Sequence, residues 1–205
     1  MAFVILIPFL LSLLTGCMSS VRKNYFQLSL PVEVKGMPGK KPGPLIERTV
    51  LIQPVKMEEI YNDYRLIYRS SPYKLDYYSY NYWVKRPDYV IKDAISDYLV
   101  KRGWFTRVFE DLSEGDPQWL LKSTVQVMEE YDTPQYWTAH LKMKIEIRSF
   151  KTNEVVGFHS FDRTVPLPRK KVEDLPEGLS KIMKEELEKM LIKLMDLDSE
   201  IQHQL

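Results

Sequence analysis

A single α+β domain, with a mixed, largely antiparallel sheet packed by two helices, is the fold class this sequence predicts, and three observations carry it. Ala139, Leu141, Met143, Ile145 and Ile147 alternate without error with His140, Lys142, Lys144, Glu146 and Arg148. That period of two marks a strand with one buried and one wet face. Leu179, Ile182, Met183, Leu187, Met190, Leu191 and Leu194 fall on one helical stripe, which is ordinarily a core-facing stripe. The third observation is size: 205 residues, 44% hydrophobic and 28% charged, match one ordinary globular domain.

Residues 1–21 carry no charged side chain. The apolar run over residues 2–14 is too short for a bilayer span, which needs about 20 apolar residues, and fits the core of a signal peptide. It ends in Leu14-Thr15-Gly16-Cys17, which resembles the lipobox of bacterial lipoproteins. The resemblance implies diacylglycerol on the Cys17 sulfur, cleavage before Cys17, and a lipid anchor in a membrane. Two acyl chains suffice for stable attachment, because each buried methylene contributes about 0.8 kcal/mol. One departure is the absence of a basic side chain before Val4; the competing reading is an uncleaved N-terminal membrane helix. The expected organisation is a signal peptide over residues 1–16, a lipidated tether over 17–24 and one domain over 25–205.

Within that domain, residues 25–30 read as a first strand, followed by a Pro- and Gly-rich loop over 31–44. Residues 49–55 (TVLIQPV) read as a buried strand, with Pro54 at its end or on an edge. Pro87 and Asp88 start a helix that buries Ile91, Ala94, Ile95, Tyr98 and Leu99; Lys101, Arg102 and Gly103 end it. Strands are expected over 104–109 and 119–128, then the alternating strand, a turn at 151–154 and a return strand over 155–165. Asp174 and Glu177 read as a capping box for the last helix.

Composition and motifs exclude several functions. With 29 basic and 28 acidic residues the net charge is +1, without the basic excess of a nucleic-acid partner. Closing the hairpin at 151–154 sets His140 opposite Val165, far from His159, so the histidines read as surface residues without metal-ligand spacing. His159 and Ser160 are strand neighbours that point to opposite faces, and no nucleophile elbow or phosphate loop is present. The remaining carboxylates read as solvated charge. No catalytic residue, metal or cofactor is therefore expected.

Nine of the thirteen tyrosines lie between Tyr61 and Tyr89. Tyrosine and tryptophan supply rigid area with a polar handle, which suits interfaces; they are also ordinary strand residues. Tyr73, Tyr77, Tyr78, Tyr80 and Trp83 are the candidate partner-binding residues, against the alternative that they merely pack a sheet edge. The order of Tyr25-Phe26-Gln27-Leu28, Leu51-Ile52-Gln53-Pro54, and a run from Arg69-Ser70-Ser71-Pro72-Tyr73 through Tyr77-Tyr78-Ser79-Tyr80 to Trp83 and Pro87 resembles the ABC-type transport auxiliary lipoprotein family.

That resemblance implies a non-enzymatic accessory lipoprotein at the periplasmic side of the outer membrane. Its implied partners are the membrane, an MCE-domain protein of an ABC transport system, and phospholipid; a homo-oligomer is compatible with it. Met18, in place of Asp after the cysteine, resembles outer-membrane sorting. The alternative function is a lipoprotein module assisting lipopolysaccharide or outer-membrane protein assembly.

Overall fold

The computed structural model describes residues 22–32 and 44–203, with side chains through residue 199. Leu14, Thr15, Gly16 and Cys17, with the expected signal peptide and most of the tether, lie outside the described residues, as does most of the Pro- and Gly-rich loop.

Nine strands and two long helices form one mixed sheet and its cover. In chain order they are β1 (Asn24–Phe26), β2 (Ile46–Ile52), β3 (Lys56–Met57), β4 (Arg65–Ser71), β5 (Lys74–Trp83), α1 (Pro87–Arg102), β6 (Phe105–Phe109), β7 (Trp119–Asp132), β8 (Trp137–Ser149), β9 (Val155–Pro166) and α2 (Leu175–His203). The expected fold class, one α+β domain, is the one observed.

Strand β7 is the spine. Along one edge it pairs antiparallel with β8 over its whole length, from Trp119↔Ser149 to Asp132↔Trp137, and β8 pairs antiparallel with β9. Its other edge is shared by three successive parallel partners: β2 at Trp119, Leu120 and Leu121, β3 at Thr124 and Val125, and β4 at Glu130 and Tyr131. Pro54 explains the break between the first two, since it has no N–H to give a ladder. Strand β6 extends the sheet beyond β2, and β5 then β1 extend it beyond β4.

The two helices share one core with the sheet. The β8 residues Ala139, Leu141, Met143, Ile145 and Ile147 are all fully buried, and the α2 stripe from Leu179 to Leu194 is at most 3% exposed. Each such Leu or Ile contributes roughly 1.5–3 kcal/mol through burial. Helix α2 comes so close to β8 that a Cβ on Gly178 would lie 2.7 Å from the Ala139 Cβ; this is why glycine stands inside a helix there. Helix α1 ends as expected, at Gly103 with φ +69°, whose N–H donates to Leu99 and Val100. Its Tyr98 hydroxyl donates to Glu188 Oε1 at 2.6 Å and ties α1 to α2. No helix among the described residues is long and apolar enough to cross a membrane.

Several expectations shift for tertiary reasons. The first strand stops at Phe26, because beyond it the Ser29 N–H donates to the Ser180 Oγ of α2 and Leu28 and Leu30 turn into the core. The strand expected over 49–55 runs Ile46–Ile52 instead, and the one expected over 119–128 continues to Asp132 because β8 and β4 pair with it there. A bulge between Ile147 and Arg148 moves the hairpin register by one, so His140 faces Thr164, and Ala139 faces Val165. The Asp174 carboxylate accepts from the Arg169 N–H and guanidinium and not in a capping box with Glu177. The chain enters α2 through a 3-10 turn at Val172–Asp174.

Candidate functional site

The tyrosine-rich segment folds as the β4–β5 hairpin, and its two faces have different duties. Tyr73 stands at the tip, 97% exposed, and Tyr80 is exposed along β5. Tyr77 is half-buried: its hydroxyl donates to the Ile60 carbonyl at 3.2 Å, and the Arg65 guanidinium lies 4.1 Å from its ring centre. Nearby, Tyr25 and Tyr82 stack at 5.9 Å, with Lys23 over Tyr82, and Tyr64 and Tyr89 are also exposed. Strand β1 pairs only with Asn81, Tyr82 and Trp83 of β5. Among the described residues nothing pairs with the outer edge of β5 over 74–80, which leaves backbone groups available to another chain.

The remaining candidates face inward. The Tyr78 hydroxyl donates to Glu130 Oε1 at 2.5 Å, and its ring lies 4.8 Å from that of Tyr68. Trp83 is 4% exposed and belongs to the core. The five residues thus form no single patch: Tyr73 and Tyr80 point to solvent, Tyr77 lies at the margin, Tyr78 is an anchor, and Trp83 is interior.

Several carboxylates expected to be solvated charge are buried, Glu129, Glu130 and Glu186 among them. On the helix-free face, Glu129 is 1% exposed. It accepts from Arg69 Nε at 2.6 Å and Tyr61 Oη at 2.7 Å, and His140 Nδ1 lies 3.4 Å away. Burial opposes its charge, but those three partners together hold its carboxyl below the usual range. Burial, then the bond to Glu129, pushes the Tyr61 hydroxyl up to about 12. His140, drawn upward first by Glu129 and also by Asp162 at 2.7 Å, is a linking residue and not a free surface histidine.

Glu130 faces the other way, into the core, and is fully buried. Burial and then the neighbouring Asp132 carboxyl push Glu130 up to about 8, and burial also raises Asp132. Glu130 Oε2 and Asp132 Oδ1 are both buried without a conventional donor, the arrangement of two acids that share one proton. Glu186 of α2 is 3% exposed. It contacts Arg163 Nη1 at 2.8 Å, His159 Nε2 at 2.7 Å and Lys189 Nζ at 2.6 Å. Burial alone would raise its carboxyl, but Lys189, Arg163 and His159 outweigh that and bring it down to about 2. His159 is accordingly a clamp between β9 and α2. A signal for the first pair was present in the sequence: two consecutive glutamates within a strand place one on each face, so one must meet the core.

A groove of about 710 Å³ separates residues 26–31 from α2, lined by Phe26, Pro31, Pro176, Lys181, Lys184 and Glu188 among others. Among the described residues, no three His, Cys, Asp or Glu side chains are placed to hold a metal ion. The buried acids each tie one element to another: Glu129 joins β7 to β4 and β8, Glu130 holds β5, and Glu186 holds β9.

A nine-stranded mixed sheet and two helices packed in one core, with an exposed tyrosine hairpin at its edge, define a single α+β domain. The chain belongs to the ABC-type transport auxiliary lipoprotein component family, whose model matches residues 26–190. No curated protein sequence matches it. Among solved structures, protein XCC0632 from Xanthomonas campestris is similar over 89% of this chain and 100% of its own, with a TM-score of 0.68 and 15% identity. A structure described as an uncharacterized protein is similar over 88% of this chain and 99% of its own, with a TM-score of 0.60 and 12% identity. At such identities the likeness is one of fold.

Proposed function

We propose that this protein is the membrane-anchored, non-enzymatic auxiliary lipoprotein of an ABC- and MCE-type phospholipid transport system, held by lipid on Cys17 at the periplasmic side of the outer membrane. The observation that carries the reading is the family match, joined to a hairpin that offers Tyr73, Tyr80 and an open β5 edge outward. Tyrosines of this kind are typical anchors of protein interfaces, and the MCE-domain subunit is the partner assigned to them. The groove beside Phe26 and Pro176 has the size and mixed lining to receive part of a lipid in transit.

Two variants test this. Tyr73→Ala combined with Tyr80→Ala is expected to lower recovery of the MCE-domain subunit from membranes at least about tenfold. Stability should change by no more than about 0.5 kcal/mol, as for other surface substitutions. Undiminished recovery would refute the hairpin as the docking element; recovery of outer-membrane assembly factors or lipopolysaccharide with no transporter subunit would favour the assembly alternative. Cys17→Ser is expected to abolish incorporation of a fatty-acid analogue and to release the protein from membranes, with the fold unchanged. Persistent labelling would overturn the lipid assignment.

A further inference from the structure

The helix-free face of the sheet carries a basic hollow that docking through the tyrosine hairpin leaves unused. It opens where Pro54 interrupts the edge of β7, between the end of β2 and the two residues of β3. Its volume is about 320 Å³, and Gln53, Lys56, Lys122, Thr124, Lys144 and Arg148 line it.

The sheet register sets its geometry. Thr124 on β7 has Lys56 as its partner on β3 and Lys144 as its partner on β8. Adjacent strands lie about 4.8 Å apart, so a hydroxyl stands midway between two lysines on neighbouring strands. Lys122 lies two residues before Thr124 on the same face and brings a third ammonium to the same hollow.

Charge in this hollow is basic in excess: Lys56, Lys122, Lys144 and Arg148 line it with one carboxylate, Glu146, which stands opposite Lys122 in the register. Glu146, the carboxylate that also lines it, pairs with Arg148 at 2.8 Å. Lys142, further along the same face of β8, is taken by Asp162 at 3.0 Å. Lys56, Lys122 and Lys144 have no ion-pair partner among the described residues, whereas Lys74, Lys85, Lys101, Lys142 and Lys189 each have one. Three like charges around one hydroxyl repel each other until an anion sits between them. A tetrahedral phosphate suits the place, since three lysines and the Thr124 hydroxyl, all lining the one hollow, supply it with donors.

We propose that Lys56, Lys122, Lys144 and Thr124 form a binding site for a phosphate group, either that of an anionic lipid headgroup or inorganic phosphate. The site does not depend on the docking hairpin, which lies at the other end of β7.

Calorimetric titration of the detergent-solubilised full lipoprotein tests it, with three probes: inorganic phosphate, dihexanoyl phosphatidic acid and dihexanoyl phosphatidylcholine. Binding of phosphatidic acid at least tenfold tighter than inorganic phosphate identifies the lipid headgroup as the source. Equal binding of the two identifies free phosphate. In either case affinity should fall as salt rises and drop at least tenfold in the triple variant Lys56→Gln, Lys122→Gln, Lys144→Gln. Thr124→Val should weaken binding a further few-fold relative to the wild type without changing net charge.

A control with the same charge change elsewhere, Lys92→Gln, Lys151→Gln, Lys193→Gln, should bind as the wild type does. Absence of binding by either phosphate probe overturns the proposal. So does equal loss in the control, which would reduce the effect to overall charge, and so does binding of phosphatidylcholine as tight as that of phosphatidic acid.

Discussion

Trp83→Ala is expected to lower the unfolding free energy by about 3–5 kcal/mol, the loss typical of a large aromatic removed from a packed core. Trp83 is 4% exposed and closes β5 against Phe26 of β1, while its backbone N–H, which the substitution retains, donates to the Tyr64 carbonyl at 2.6 Å. Four residues later the chain enters α1, so a void here loosens β1, β5 and the start of the helix together. Urea unfolding checks it: the midpoint should fall with an unchanged slope, while Tyr73→Ala leaves the midpoint in place. A loss below about 1 kcal/mol would mean that the side chain is not the core element its burial indicates. Any loss of docking in Trp83→Ala would then follow from unfolding, unlike that in the Tyr73 and Tyr80 variants.

The second large effect concerns Glu130. Its acid is raised from 4.5 to about 8 in the folded protein, so the folded state binds this proton more tightly than the unfolded one. The stabilisation is complete below about pH 4.5 and is lost as pH rises towards 8. The loss is at most about 1.4 kcal/mol per pH unit for one group. Glu130→Gln keeps the shape, can still accept from Tyr78 and can donate to Asp132, but has no proton to lose.

Wild-type stability should therefore fall by a few kcal/mol between pH 5 and pH 8.5; His140, also raised, contributes the same loss to both proteins, so the Gln variant's stability relative to the wild type should rise with pH. Glu129, Asp174 and Glu186 are shifted the other way. Their stabilisation is present above about pH 4.5 and is lost only below it, outside this window. Parallel profiles for the two proteins from pH 5 to 8.5 would refute the shared-proton pair.

The segments read correctly from the chain are those whose signal is local. Helix α1 carries its own start at Pro87 and stop at Gly103, β8 carries an unbroken alternation, and the α2 stripe repeats at helical spacing. Each of these needs only near neighbours to be recognised. The five aromatic candidates were legible as a cluster, but their division into outward Tyr73 and Tyr80 and inward Tyr78 and Trp83 was not. Irregular pairing between β4 and β5 near Arg65 and Ile67 disturbs simple alternation, and which face is wet depends on what covers it.

By itself, then, the sequence determined the α+β class, helix α1, the apolar faces of β8 and α2, and the likeness to the transport auxiliary family carried by the tyrosine run. Tertiary structure alone decided that β2, β3 and β4 share one edge of β7. It also decided that Arg69, Tyr61 and His140 surround Glu129 while Glu130 is buried beside Asp132, and that Lys56, Lys122 and Lys144 line one hollow with Thr124. The physical reason is the same in each case. Hydrophobic period and end signals are properties of a short stretch of chain, whereas protonation and charge convergence are set by groups that lie far apart in sequence and become neighbours only when the sheet closes.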